Sequence, residues 1–217
     1  MKTALVTGAS GLVGRHLTEI LIKSSEYGKV IILVRRPLEI TSHKLEQVIY
    51  DYRNPDESKI RADHIFCCLG TTIKKAGSAD AFREVDYKYI TGLAQSGFEK
   101  DASKFLLVSA MGADKNSRVF YNRVKGETEN VVKQIPFKTV FIFRPSLLKG
   151  NREETRPGET FANIIMRIFK IFIPLKYRAI DAEKVAMAMY KYSLKEIEGV
   201  HIIESDTMQN IQRVNIN

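Results

Sequence analysis

Tyr121 and Lys125 stand four residues apart, a spacing that puts both side chains on one face of a helix. An ammonium beside a phenol favours the phenolate. It draws a pKa of about 10 toward working pH, where the phenol can pass a proton efficiently. Of the nine tyrosines in the chain, only Tyr121 has a lysine at that offset. A lysine solvated on a helix surface is the plain alternative, and the setting decides between them. The pair begins a helical stretch, and Ser109 ends the apolar run Phe105 to Val108 that precedes it. Ser109, Tyr121 and Lys125 are therefore the candidate catalytic set.

A second cluster lies at the start of the chain, where the apolar run Ala4 to Val6 breaks into Gly8, Gly11 and Gly14. From Leu12 the apolar positions Leu12, Val13, Leu17, Ile20 and Leu21 recur at helical spacing. The glycines thus occupy a strand-to-helix turn. The free N–H groups of the first helical residues, with the positive end of the helix dipole, make such a turn a site for phosphate. Gly8 would allow the turn, Gly11 would admit a pyrophosphate against the backbone, and Gly14 would let the helix pack closely. Three glycines could be a tight turn only; the strand before and the helix after favour a dinucleotide. Gly8, Ser10, Gly11, Leu12, Val13 and Gly14 form the candidate cradle.

These residues need a scaffold, and its elements are legible. Apolar runs fall at Ala4 to Val6, Val30 to Val34, Val48 to Tyr50, Ile65 to Leu69, Phe105 to Val108, Val140 to Phe143 and Val200 to Ile203. Segments with helical spacing lie at 12–23, 79–99, 118–134, 160–172 and 181–195. Strands alternating with helices predict an α/β fold, a doubly wound and mostly parallel sheet of the Rossmann kind. Ligands bind beyond the carboxyl ends of such strands. The second strand ends Val34-Arg35-Arg36, with Arg35 21 residues after Gly14. An acid about 20 residues on holds the ribose 2′-OH of NAD; arginine suits the 2′-phosphate of NADP. Arg35 and Arg36 favour NADP, with NAD the alternative. Asp51 after the third strand could accept from an adenine amino group. Leu69, Gly70 and Thr71 after the fourth could lie along the cofactor. The chain reads as a single domain, 1–217, with 144–217 supplying a small substrate side. Arg144 to Glu159, carrying two prolines and two glycines, is placed to form a lid.

Composition excludes several classes. With 217 residues, 44% of them hydrophobic and 27% charged, the chain can bury a core without staples. No apolar stretch reaches the roughly 18 residues a membrane helix needs, and the expectation is a soluble, cytoplasmic protein. The net charge of +9 attracts anions, but the basic residues are dispersed among acids, so no specific nucleic-acid partner is expected. Cys67 and Cys68 would point to opposite faces of a strand and read as buried small hydrophobes. The four histidines lie far apart, and no metal site is expected. The partner implied is a small-molecule substrate; a homo-oligomer is compatible with the sequence.

On the glycine turn, Ser109 and the Tyr121/Lys125 pair, the chain resembles the short-chain dehydrogenase/reductase superfamily, in its extended or atypical branch. It is similar to the Tat-interacting oxidoreductase family in Phe66-Cys-Cys-Leu-Gly-Thr-Thr72, Gly112-Ala-Asp-Lys115, Val124-Lys-Gly-Glu127, Phe143-Arg-Pro145 and Arg156-Pro-Gly-Glu159. The resemblance implies that Lys125 binds the nicotinamide ribose and tunes Tyr121, that Tyr121 donates the proton, and that Ser109 orients the substrate carbonyl. NADPH would supply hydride. Arg144, Pro145 and the loop through Glu159 would border the substrate, with Arg144 and Pro145 also near the cofactor. One position departs from the family, which shows two serines where this chain has Ser109-Ala110. Ala110 and Met111 also lack the acids of sugar-nucleotide dehydratases, which disfavours dehydration. The expected function is an NADPH-dependent reductase of a small carbonyl. The alternatives are an NADPH-binding regulator without turnover and a sugar-nucleotide epimerase.

Overall fold

In the computed structural model, which describes residues 1–149 and 174–211, every residue from Ala4 to Thr7 is buried. A strand buried on both faces belongs to a parallel sheet covered by helices on both sides. Seven strands form that sheet: β1 (Lys2–Thr7), β2 (Tyr27–Val34), β3 (Leu45–Ile49), β4 (His64–Cys67), β5 (Lys104–Val108), β6 (Thr139–Arg144) and β9 (Gly199–Glu204). Their order is β3-β2-β1-β4-β5-β6-β9, and every neighbouring pair is parallel. From β1 the chain winds one way to β3, then returns to β4 and winds the other way. The crevice of this switch opens beyond the carboxyl ends of β1 and β4, where the glycine turn and Leu69 to Thr71 were placed from sequence.

Side-chain alternation divides the core into two layers. Ala4, Val6, Val30, Ile32, Phe66, Leu106 and Phe141 face α1 (Leu12–Lys23) and α6 (Ala182–Ser193). Leu5, Ile31, Ile65, Cys67, Phe105, Leu107 and Ile142 face α4 (Ile90–Glu99) and α5 (Phe120–Val132). Cys67 lies in the second layer, and Cys68 packs against the first. Leu17 and Leu21 of α1 are fully buried, each contributing about 2 kcal/mol. That burial seats the helix whose start forms the glycine turn.

After a short helix, α2 (Ile73–Ala76), the segment predicted as one helix over 79–99 is instead α3 (Ala79–Arg83), a π-helical turn (Glu84–Tyr89) and α4. The short strands β7 (Leu148–Lys149) and β8 (Ile180–Asp181) pair beyond β6. A short helix, α7 (Ser205–Gln209), follows β9. The helix predicted at 160–172 and most of the expected lid lie outside the described residues. Residues 180–211 supply the edge strand and α6 to the scaffold.

At the amino ends of the strands, Tyr27 Oη shares hydrogen bonds with His64 Nδ1 at 2.7 Å and Ser193 Oγ at 2.8 Å. Burial, and behind it the Lys104 and Lys2 ammonium groups, push His64 down to about 4, against about 6.5 in an unfolded chain. The unfolded state therefore takes up this proton first on acidification. His64's contribution is full above about pH 6.5, falls as pH drops toward about 4, and totals roughly 3 kcal/mol. Urea unfolding between neutral pH and about pH 4 should show a steeper loss in the native chain than in His64→Gln. Parallel curves would contradict this.

Candidate active site

Gly8 sits at φ +72°, and a Cβ there would lie 2.4 Å from the Cys68 carbonyl oxygen. A Cβ on Gly14 would lie 2.2 Å from the Gly8 carbonyl. Both glycines are demanded by the packing of the turn itself. Gly11 differs: it is exposed and would bring its Cβ near only Gly8 O, at 3.1 Å. It caps α1 without a side-chain hydrogen bond, and no acid stands in the first turn. The N–H groups that open α1 lack intrahelical partners, so the cradle suits an anionic group.

The turn forms one wall of a cleft of about 940 Å³. Gly8, Ser10, Gly11, Arg35, Asp51, Leu69, Gly70 and Thr71 all line it, joined by Tyr50, Tyr52, Arg53, Glu84 and Tyr89. Tyr52 stacks on Tyr89, with ring centroids 5.3 Å apart, and meets Tyr50 edge-on. Leu12, Val13 and Gly14 lie behind the lining in α1, with Val13 in the core. Arg36 is exposed and outside the lining. The shape, a phosphate-sized cradle between an arginine and an aromatic wall, fits a dinucleotide.

The catalytic candidates stand past Gly70. Helix α5 is set against the turn before it by backbone contact: a Cβ on Gly126 would lie 2.1 Å from Lys115 N. This presents Lys125, which is buried with its Nζ 2.8 Å from Asp86 Oδ1. Burial alone would lower the lysine pKa, but Asp86 and then Tyr121 outweigh it and hold it above the ordinary value. Lys125 is therefore a fixed cation. Tyr121, half-buried, tilts against Phe82 at 5.4 Å. Asp86 rides on the π-helical turn, is fully buried, and accepts the Thr71 N–H at 2.9 Å through Oδ2.

Neither Tyr121 nor Lys125 is among the residues that line the cleft, and Ser109 is turned away into the sheet. Its hydroxyl donates to Glu129 at 2.6 Å. Arg144 clamps the same carboxylate through Nε at 3.0 Å and Nη2 at 2.6 Å, and reaches Glu204 at 3.4 Å. These hydrogen bonds to the Glu129 carboxylate, ahead of the opposing effect of burial, raise the Arg144 pKa. Pro145 offers its carbonyl to Met111 N–H at 2.9 Å. Ser109, Arg144 and Pro145 thus join the ends of β5 and β6, and none of them lines the cleft. Asp86 and Glu129 escaped the sequence, although each left a trace. Phe82, Asp86, Ile90 and Leu93 fall in one apolar helical register, as do Lys125, Glu129 and Val132, and a carboxylate in such a register must have a partner.

Residues 4–169 match the profile of the NAD dependent epimerase/dehydratase family. Protein HTATIP2 of Rattus norvegicus is 37% identical over 167 residues, covering 74% of this chain and 69% of its own length. The mitochondrial Protein FMP52 of Eremothecium gossypii is 31% identical, covering 96% of this chain and 99% of its own. The likeness to the Tat-interacting branch holds. Among solved structures, MoeE5 in complex with UDP-glucose and NAD superposes with a TM-score of 0.71 at 14% identity, covering 95% of this chain and 79% of that one. At that identity it supports the Rossmann-like fold alone. The cytoplasmic expectation is overturned by the fungal relatives, which are named mitochondrial. No helix among the described residues is long and apolar enough to cross a membrane, and that fact does not distinguish compartments.

Proposed function

The chain belongs to the NAD dependent epimerase/dehydratase family, and from that premise we propose that it is an NADPH-dependent reductase of a small carbonyl compound. One observation carries this: the cleft that begins at Arg35 runs past the glycine cradle to Gly70, directly in front of Lys125. The α1 amides would hold the diphosphate, Arg35 the 2′-phosphate, and Asp51 the adenine amino group. Lys125 would hold the nicotinamide ribose. A nicotinamide cofactor held there would supply the hydride. Tyr121 supplies the proton to the carbonyl oxygen, with the fixed charge of Lys125 beside it. Catalysed oxidation of NADPH with a panel of aldehydes and ketones tests the proposal, and no turnover with any of them would count against it. The names of the fungal relatives also lead us to place the chain in the mitochondrion; a cytosolic distribution in fractionated cells would refute that.

Arg35→Asp should lower the ratio of NADPH to NADH affinity by about 10–100-fold, the worth of one charge-assisted contact. Calorimetric titration with both cofactors checks it, and an unchanged ratio would remove Arg35 from the site. A second function, NADPH-dependent binding of a partner without turnover, gains support from one contact. The Ser109 hydroxyl is committed to Glu129, so it has no proton to offer a substrate carbonyl. NADPH binding without oxidation of any carbonyl compound would favour that function.

A further inference from the structure

A parallel sheet needs cover on both faces, but the connection from β3 to β4 supplies no α-helix, only a 3₁₀ turn (Glu57–Lys59). A cavity of about 380 Å³ opens there, within the roughly 300–1,000 Å³ of small-molecule sites. Its floor is one face of β1, β2 and β3, from Thr3, Lys29, Ile31 and Val48. Ile31 belongs to the core, and Val48 packs against it. The cavity shares no lining residue with the cleft at the carboxyl ends of these strands.

Lys29, Lys59 and Arg61 stand around that apolar floor against one carboxylate, Glu46. Glu46 is committed to Lys29 at 2.6 Å. Lys59 meets Asp56 only at 3.6 Å and the Ile49 carbonyl at 3.4 Å. Arg61 is exposed and enters no ion pair among the described residues. The cavity therefore joins an apolar surface to a positive charge that nothing balances. A guanidinium offers paired donors that match the two oxygens of a carboxylate. One unpaired guanidinium balances one charge, which favours a carboxylate over a doubly charged phosphate.

We propose that this cavity binds a carboxylate with an apolar body, its oxygens held by Arg61 with Lys59 beside them and its alkyl or aryl part laid on Ile31 and Val48. The site is separate from the cofactor cleft and does not depend on the assignment made there.

Calorimetric titration of the full chain with octanoate, benzoate, acetate, 1-octanol and octyl phosphate tests it. Octanoate or benzoate should bind at a single site per chain. Acetate lacks the body and 1-octanol lacks the charge, so each should bind at least about tenfold more weakly. Arg61→Glu should weaken the carboxylate by about tenfold or more, and the fold should survive because this side chain is exposed and unpaired. Saturating NADPH should leave the carboxylate's affinity unchanged. No binding of either carboxylate, equal binding of 1-octanol, tighter binding of octyl phosphate, or native affinity in Arg61→Glu would overturn the site. Competition by NADPH would also overturn it, by placing the carboxylate in the cleft. A chain that binds the carboxylate but no NADPH would lose the cofactor assignment and keep this site.

Discussion

Tyr121→Phe is expected to reduce turnover by about 10²–10⁴-fold, the usual worth of a positioned acid, while NADPH affinity stays nearly unchanged. Other donors near the site are already engaged. Ser109 gives its proton to Glu129, and Lys125 is held by Asp86 in a buried ion pair. The substitution removes one oxygen and keeps the ring, whose packing on Phe82 does not depend on the hydroxyl. Folding should therefore be intact, and the loss should fall on kcat. Steady-state kinetics beside a calorimetric titration would check both halves. Undiminished turnover would reject Tyr121 as the donor and leave the cofactor site standing.

Gly8→Ala is expected to cost about 3–5 kcal/mol of stability, combining a left-handed backbone angle with a clash against main chain. The Cβ would fall 2.4 Å from the Cys68 carbonyl and 2.9 Å from Leu69 N, neither of which can swing aside as a side chain could. Relief requires the turn to move off the end of β4, and that movement breaks the cradle, so NADPH binding should fall with stability. Gly11→Ala separates the two effects. Its Cβ meets a single atom at 3.1 Å on the exposed side of the turn, so the fold should hold while NADPH binds more weakly. Urea unfolding midpoints and titrations on both variants would show it. A Gly11→Ala chain that binds NADPH as well as the native one would mean that no anion approaches the backbone there.

The scaffold was legible because a buried parallel strand is apolar throughout and a covering helix is apolar on one side. The runs at Val30 to Val34 and Phe105 to Val108 could hardly be anything else, and their alternation with helices gave the doubly wound sheet, although the strand order came from the structure. The strand ends were legible too, since Arg35, Asp51 and Gly70 follow directly on apolar runs. Side-chain commitment was not. Nothing local says that the Ser109 hydroxyl meets Glu129, 20 residues on, or that Arg144 closes the same carboxylate from another strand. Such contacts depend on how α5 is seated, which Gly126 settles by a backbone approach. Nor does helical periodicity show a π-helical turn: 79–99 keeps its apolar register through Glu84–Tyr89, and Asp86 falls inside that register without revealing which cation it meets. Compartment left no physical trace in the apolar pattern.

Calorimetric titration of the full chain with NADPH tests the central claim, that the amides opening α1 and the cleft beyond them hold a dinucleotide next to Lys125 and Tyr121. A single saturable site per chain is expected, with 2′,5′-ADP competing for it and NADH binding more weakly. No heat with either NADPH or NADH, or binding of NADPH that 2′,5′-ADP fails to displace, would contradict it.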